Sequence, residues 1–230
     1  MRSIIVIIFL CFTIGNLNAQ ADSTDLDDRY REDQFYASVT YNLLGNTSNS
    51  ISQNGLSTGF HFGVIRDMPI NKRRNLAFGI GLGISSNSYN QNVLISEATD
   101  GFNFNVIDES TINVNKNKFT TYLLEVPFEF RWRTSTAAEY RFWRIYAGFK
   151  LGYLVYNTTK FTSSNTNDVK LSNVDAFNDL QYGLTLSAGY GTWNFQVYYG
   201  LNPIFNDDAK LNNRTIDVRS IKVGLIFYIL

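Results

Sequence analysis

Residues Tyr122–Arg133 read YLLEVPFEFRWR. Alternate positions Tyr122, Leu124, Val126, Phe128, Phe130 and Trp132 are all apolar. Between them lie Leu123, Glu125, Pro127, Glu129, Arg131 and Arg133. A β-strand sends successive side chains to opposite faces. One face of this strand is therefore greasy and the other mostly ionic. A long strand of this kind fits the wall of a membrane β-barrel, with apolar side chains toward lipid and charges toward the bore.

The same alternation recurs along the chain. It predicts strands over 34–44, 58–65, 76–85, 122–133, 143–156, 180–190, 193–202 and 220–230. Leu76, Phe78, Ile80, Leu82 and Ile84, for example, alternate with Ala77, Gly79, Gly81, Gly83 and Ser85. The connections are long and polar after strands one, three, five and seven, and shorter after two, four and six. That is the pattern of an eight-stranded antiparallel up-and-down transmembrane barrel of the outer-membrane type. Long loops are expected outside the cell, with short turns and both termini in the periplasm. Trp132, Trp143 and Trp193 all share the outward phase beside short connections, as in an interfacial aromatic girdle. A soluble lipocalin-like barrel would point the apolar phase inward and carry more Lys and Glu outside. Pro127 has no N–H to give a ladder, so a bulge or irregularity is expected there.

The ends and the composition narrow the class further. Arg2, the apolar run Ile4–Ile14 and the small residue Ala19 resemble a signal peptide over 1–19, too short to span a membrane. Residues 20–33 then form an acidic tail, with six carboxylates in Ala21–Asp33, and the barrel domain is 34–230. The single cysteine, Cys11, lies in the leader, which excludes a disulfide or thiol nucleophile in the mature chain. Basic and acidic residues number 20 each, so no net charge points to nucleic acid.

No motif predicts an enzyme. The inward phase holds His61, Glu125, Glu129, Arg131, Lys150, Gln181, Gln196 and Lys222, a polar network expected to pair and plug a bore only wide enough for side chains. Glu125 and Glu129 sit two steps apart along one strand face with cations near, which favours a structural role over acid–base catalysis. His61 is the one histidine and lies mid-strand, so neither a metal site nor a cofactor is expected. The stripe Gly79, Gly81, Gly83 has strand period and makes room for bulky groups such as Arg131 or Tyr146. Basic residues gather at two short connections: Arg66, Lys72, Arg73 and Arg74 in one, Arg131, Arg133, Arg141 and Arg144 around the other. They suit contact with lipid headgroups or a docking surface.

Several stretches together resemble the PorT family (SprT in gliding bacteria) of Bacteroidota outer-membrane proteins. They are REDQFYASVTYN, GFHFGVIRDMPINKRRN, LEVPFEFRWRTST, FWRIYAGFKLGY, YGTWNFQVYYGLNPIF and the final GLIFYIL. The resemblance implies a non-enzymatic accessory or assembly role in type IX protein secretion, and in gliding where present. The positions it carries over are Arg66, Asp67, Met68, Pro69, Ile70 and Asn71 in the first turn, and Arg131, Trp132, Arg133, Thr134, Ser135 and Thr136 in the second. Their expected partners are other secretion components, beside outer-membrane lipid. The alternatives are an adhesive barrel that uses its external loops and, less favoured, a lipid-modifying barrel enzyme.

Overall fold

The computed structural model describes residues 33–48, 50–99, 101–108, 110–134 and 142–229. The leader, the tail up to residue 32, Ser135, Thr136, Arg141 and Leu230 lie outside the described residues. In chain order the strands are β1 (Gln34–Gly45), β2 (Thr58–Pro69), β3 (Leu76–Asn90), β4 (Val93–Ala98), β5 (Gly101–Val106), β6 (Val114–Arg133) and β7 (Trp143–Ser163). Then follow β8 (Val169–Ser172), β9 (Leu180–Tyr190), β10 (Trp193–Pro203), β11 (Lys210–Leu211), β12 (Arg214–Thr215) and β13 (Arg219–Ile229).

Eight of these strands close a barrel. Each pairs antiparallel with its neighbour in the order β1, β2, β3, β6, β7, β9, β10, β13, and β13 returns to β1 from Phe35↔Ile229 to Gly45↔Arg219. Closure satisfies every strand edge, as lipid demands. The faces are sorted as the alternation predicts. Phe35, Val155 and Trp193 are each 65% exposed, whereas Arg131 and Arg133 are 0% exposed. Apolar outside and charged inside is the inverse of a soluble barrel, so the lipocalin-like alternative falls.

Three local expectations are corrected. The first concerns β2, which does not stop at Ile65. Its ladder with β3 continues through Arg66↔Ile80 to Pro69↔Ala77, so the turn is only Ile70–Asn75. Ile70 N–H donates to the Leu76 carbonyl at 2.9 Å and Asn71 accepts from Leu76 N–H at 3.2 Å, which closes it tightly. The second is corrected only in kind: Pro127 brings the local irregularity expected there, but no bulge. It faces Lys150 in unbroken register on β7. On the β3 side, Ile80↔Phe128 and Gly83↔Glu125 hold while the two positions between them are unpaired. The missing N–H therefore opens a gap in one ladder, and Gly81 makes room for the ring.

The third concerns a bulge between β6 and β7, where Tyr122↔Tyr156 is followed by Leu123↔Leu154. Val155 is the extra residue. A bulge reverses the phase of its strand, so Tyr156, expected inward, is exposed, and Asn157, Thr159 and Phe161 turn inward instead.

The long connections are polar in composition but not loose. They contribute Ile51, Val93, Ile95, Phe104, Val174, Phe177, Ile204, Phe205, Ile216 and Val218 to one buried cluster, packed on Tyr89, Phe119, Leu123 and Leu154 from the upper barrel wall. Phe119 is its hub. It stacks on Tyr89 with ring centroids 4.9 Å apart, and meets Phe205 at 5.3 Å and Phe177 at 5.4 Å. Asparagine amides sew the backbone together beneath. Asn157 donates to the Val174 carbonyl at 3.1 Å and accepts from Val174 N–H at 2.9 Å. Asn178 donates to the carbonyls of Pro203 and Phe205. The loop end of the barrel is thus a capped mouth with its own hydrophobic core.

Candidate functional site in the bore and at its short-turn mouth

Below the cap, the bore is filled by two ionic layers. The upper centres on Glu125, 1% exposed. The His61 Nδ1 lies 3.2 Å from both of its oxygens, and Lys150 Nζ donates to it at 3.0 Å. Lys222 is near enough to interact with it electrostatically and lies 4.8 Å from the centroid of the Tyr198 ring. His61 Nε2 approaches Thr40 Oγ1 at 3.4 Å. Gln196 donates to Ser38 Oγ at 2.9 Å, while Gln181 is buried in the same wall.

The lower layer centres on Asp67. Arg133 grips it bidentately, Nη1 to Oδ1 and Nη2 to Oδ2, both at 2.8 Å. Arg131 Nη1 donates to Oδ1 at 3.1 Å and Arg131 Nε to Glu129 at 3.0 Å. Arg131 and Arg144 share the rings of Tyr146 and Tyr228, with Arg131 4.7 Å and Arg144 5.9 Å from the Tyr146 centroid. Forked guanidinium–carboxylate pairs of this kind are strong and orientation-specific.

Both layers depend on the small residues of β3. In register, Gly83 faces Glu125 and Ser85 faces His61; likewise Gly79 faces both Asp67 and Glu129. A Cβ on Gly79 would stand 2.7 Å from Arg131 Nε. Without it, Arg131 on β6 reaches over β3 to Asp67 on β2. Gly83 lies under Tyr36 and Gly81 beside Ile65. Tyr146 packs elsewhere, against Tyr228 with centroids 5.3 Å apart, so Arg131 and not Tyr146 uses the stripe.

Asp67, Arg131, Arg133 and Arg144, expected on or around an exposed contact surface, are instead buried inside the bore. Asp67 holds the parity of His61, Gly63 and Ile65, so continuing β2 past Ile65 turns it inward. Of the remaining turn residues, Arg66, Met68, Ile70, Lys72 and Arg73 are exposed. Pro69, Asn71 and Arg74 are half-buried, and Thr134 is exposed at the end of β6. Arg133 Nε donates to the Arg74 carbonyl at 3.0 Å, which ties this turn to the lower ionic layer. Asp33 joins it from the tail side, 3.4 Å from Arg66 Nε and accepting from Asp67 N–H at 2.8 Å. The sequence reading singled out Tyr146 but not the bore tyrosines Tyr36, Tyr198 and Tyr228. All hold the inward parity, which was the available signal.

Trp132, Trp143 and Trp193 face outward at this same end, 38%, 60% and 65% exposed. Trp143 and Trp193 both pair with Tyr190.

The model of the outer membrane protein β-barrel domain family matches residues 18–206. The chain belongs to this family. As an outer-membrane barrel it places its apolar outer band in lipid. Among curated proteins none matches the chain significantly. Among solved structures, it is similar to Ail, the attachment invasion locus protein of Yersinia pestis, crystallised with the heparin analogue sucrose octasulfate. The identity is 14% and the TM-score 0.40, covering 86% of this chain and 99% of that one. A mutant Rh. blastica porin follows at 9% identity and TM-score 0.21, covering 87% and 100%.

Proposed function

We propose that this outer-membrane barrel is a non-conducting accessory component of type IX protein secretion, working through its short-turn face. The observation that carries the reading is the filling of the bore. Two layers of buried ion pairs and a packed loop cap stand in series, and a cavity of about 20 Å³ lined by Glu129, Lys150 and Tyr228 has room for roughly one water. A sealed bore leaves the end faces to do the work. The short-turn face exposes Arg66, Lys72 and Arg73 within the GFHFGVIRDMPINKRRN stretch that resembles the PorT family. In the expected orientation this face meets the periplasm, where cations suit acidic partner surfaces.

Deletion of the gene in its host, with secretion of type IX cargo measured, tests the proposal. Secretion should fail and return with the intact gene; undiminished secretion contradicts it. A photo-crosslinker at Lys72 or Arg73 should then capture other secretion components.

A second reading is adhesion through the loops. It is favoured by two clefts in the cap of about 630 and 560 Å³. Many asparagines around them are engaged with backbone, as Asn90 is with the Leu56 carbonyl and Asn92 with that of Ser50. Removal of the β4–β5 hairpin separates the readings, since it should abolish adhesion and spare secretion. For His61 we propose no catalytic part. It is 1% exposed, paired with Glu125 and walled off from lipid.

A further inference from the structure

We propose that a row of lysines on the outer wall at the loop end of the barrel, Lys118, Lys160 and Lys170, binds the phosphate groups of lipid in the adjoining leaflet. Strands β6, β7 and β8 set them side by side. Lys118 is opposite Lys160 and Lys160 is opposite Lys170. Directly opposed residues share a face, so cations meet across three strands. Lys116 stands two residues further along β6, opposite Thr162. Lys116, Lys160 and Lys170 are exposed and Lys118 is half-buried. Like charges directly opposite on a sheet repel and destabilise it, and Lys116 and Lys160 are both near enough to act on Lys118. None of the four takes part in an ion pair among the described residues. Asp168, two residues before Lys170, accepts from Ser163 N–H at 3.3 Å instead. The wall therefore gathers positive charge that its own carboxylates leave unpaired, and an array of phosphates would offset it.

The rungs beneath the row point to phosphates carried by lipid. Along β3, β6 and β7 the outer face passes from the exposed Ile84 and Leu124 to a rung of Ser86, Tyr122 and Tyr156. The rings of Tyr122 and Tyr156 are exposed and lie 5.7 Å apart between centroids. The next rung is Ser88, Thr120, Thr158 and Ser172, and the one after it is Asn90, Lys118, Lys160 and Lys170. Apolar, aromatic, hydroxyl and cationic in turn is the order of a bilayer surface, where tyrosine sits at the headgroup level and lysine meets anionic lipid. From Tyr122 to Lys118 is about 13 Å along the strand, or about 10 Å in height at the tilt of such strands. Lysine stems turned back along the wall bring their ammonium groups to the headgroups. This binding needs only lipid around the wall and is independent of any part in secretion.

The test uses the full mature barrel in neutral maltoside micelles, with binding of fluorescent lipid A, a glycolipid with two phosphates, read by anisotropy. Lys118→Gln, Lys160→Gln and Lys170→Gln together should weaken binding on the order of 100-fold, about fivefold for each cation at a lipid surface. Arginine at the same three positions should keep it. So should Lys210→Gln with Arg214→Gln, which removes two exposed cations of the cap. Dephosphorylated lipid A should bind wild type no better than lipid A binds the triple Gln variant. Without lipid, that variant should melt no lower than wild type, since the opposed like charges are gone. The proposal is overturned if the triple Gln variant binds lipid A as wild type does, if the cap control loses as much, or if removing the phosphates changes nothing. A triple Gln variant that melts well below wild type without lipid would make the row a structural element and also overturns it. So does heparin binding through the three lysines where lipid A does not, which would make the row a site for soluble polyanions.

Discussion

Asp67→Ala should destabilise the barrel more than any other single change at its short-turn end, by about 3–5 kcal/mol, because it takes from two buried guanidinium groups the carboxylate that they share. Arg131 and Arg133 are both 0% exposed, and Asp67 takes three of their hydrogen bonds. With the carboxylate gone, neither guanidinium can turn to water without leaving the bore. Asp67→Asn keeps the shape and loses the charge, so it should fall between. The comparison that gives the experiment its force is Asp217→Ala. That residue pairs with Arg219 at 3.3 Å on the surface, where an ion pair contributes under about 1 kcal/mol. Urea unfolding of the refolded protein in lipid vesicles would rank the three. Equal losses for Asp67→Ala and Asp217→Ala would show that the lower layer does not hold the barrel together.

Phe119→Ala should act at the other end and in a different manner. Its ring is 1% exposed and touches Tyr89, Phe177 and Phe205, so its removal should cost about 3–5 kcal/mol of packing. That loss falls on the cap, which rests on loop contacts, and much less on the hydrogen-bonded wall. The cap should therefore open locally. Limited proteolysis should cut within 91–113 and 164–179 much faster than in wild type. The tryptophans report the opposite end, at Trp132, Trp143 and Trp193, and their emission should not change. Protected loops combined with an altered tryptophan signal would place Phe119 in the general barrel core instead.

These two residues also mark where the sequence was legible. Strand alternation is clear wherever the two faces meet different surroundings, lipid outside and a polar bore inside. Leu76–Ser85 and Tyr122–Arg133 show it, and so do the eight strands and the inward parity of Glu125, Lys150 and Lys222. Asp67 was misplaced because the basic run that follows it suggested a turn, although its parity already pointed inward. Past Tyr156 the pattern broke for a physical reason: one extra residue at Val155 exchanges the faces of β7. The cap was illegible for another reason. Its apolar residues come singly or in pairs from four connections, as Ile51, Val174, Phe177 and Phe205 do. They form a core only when the closed barrel brings the loop ends together. Gly79, Gly81 and Gly83 lie between these cases. The stripe was visible, but only the register showed that it lets β2 and β6 share ion pairs across β3.

The filled bore is the central claim, and current across a planar lipid bilayer tests it most directly. Purified, refolded barrel should insert without producing discrete conductance steps, in wild type and equally after removal of the β4–β5 hairpin, since the Glu125 and Asp67 layers remain below the cap. Steady steps of porin size from the wild-type protein would contradict the sealed bore and the placement of function on the end faces.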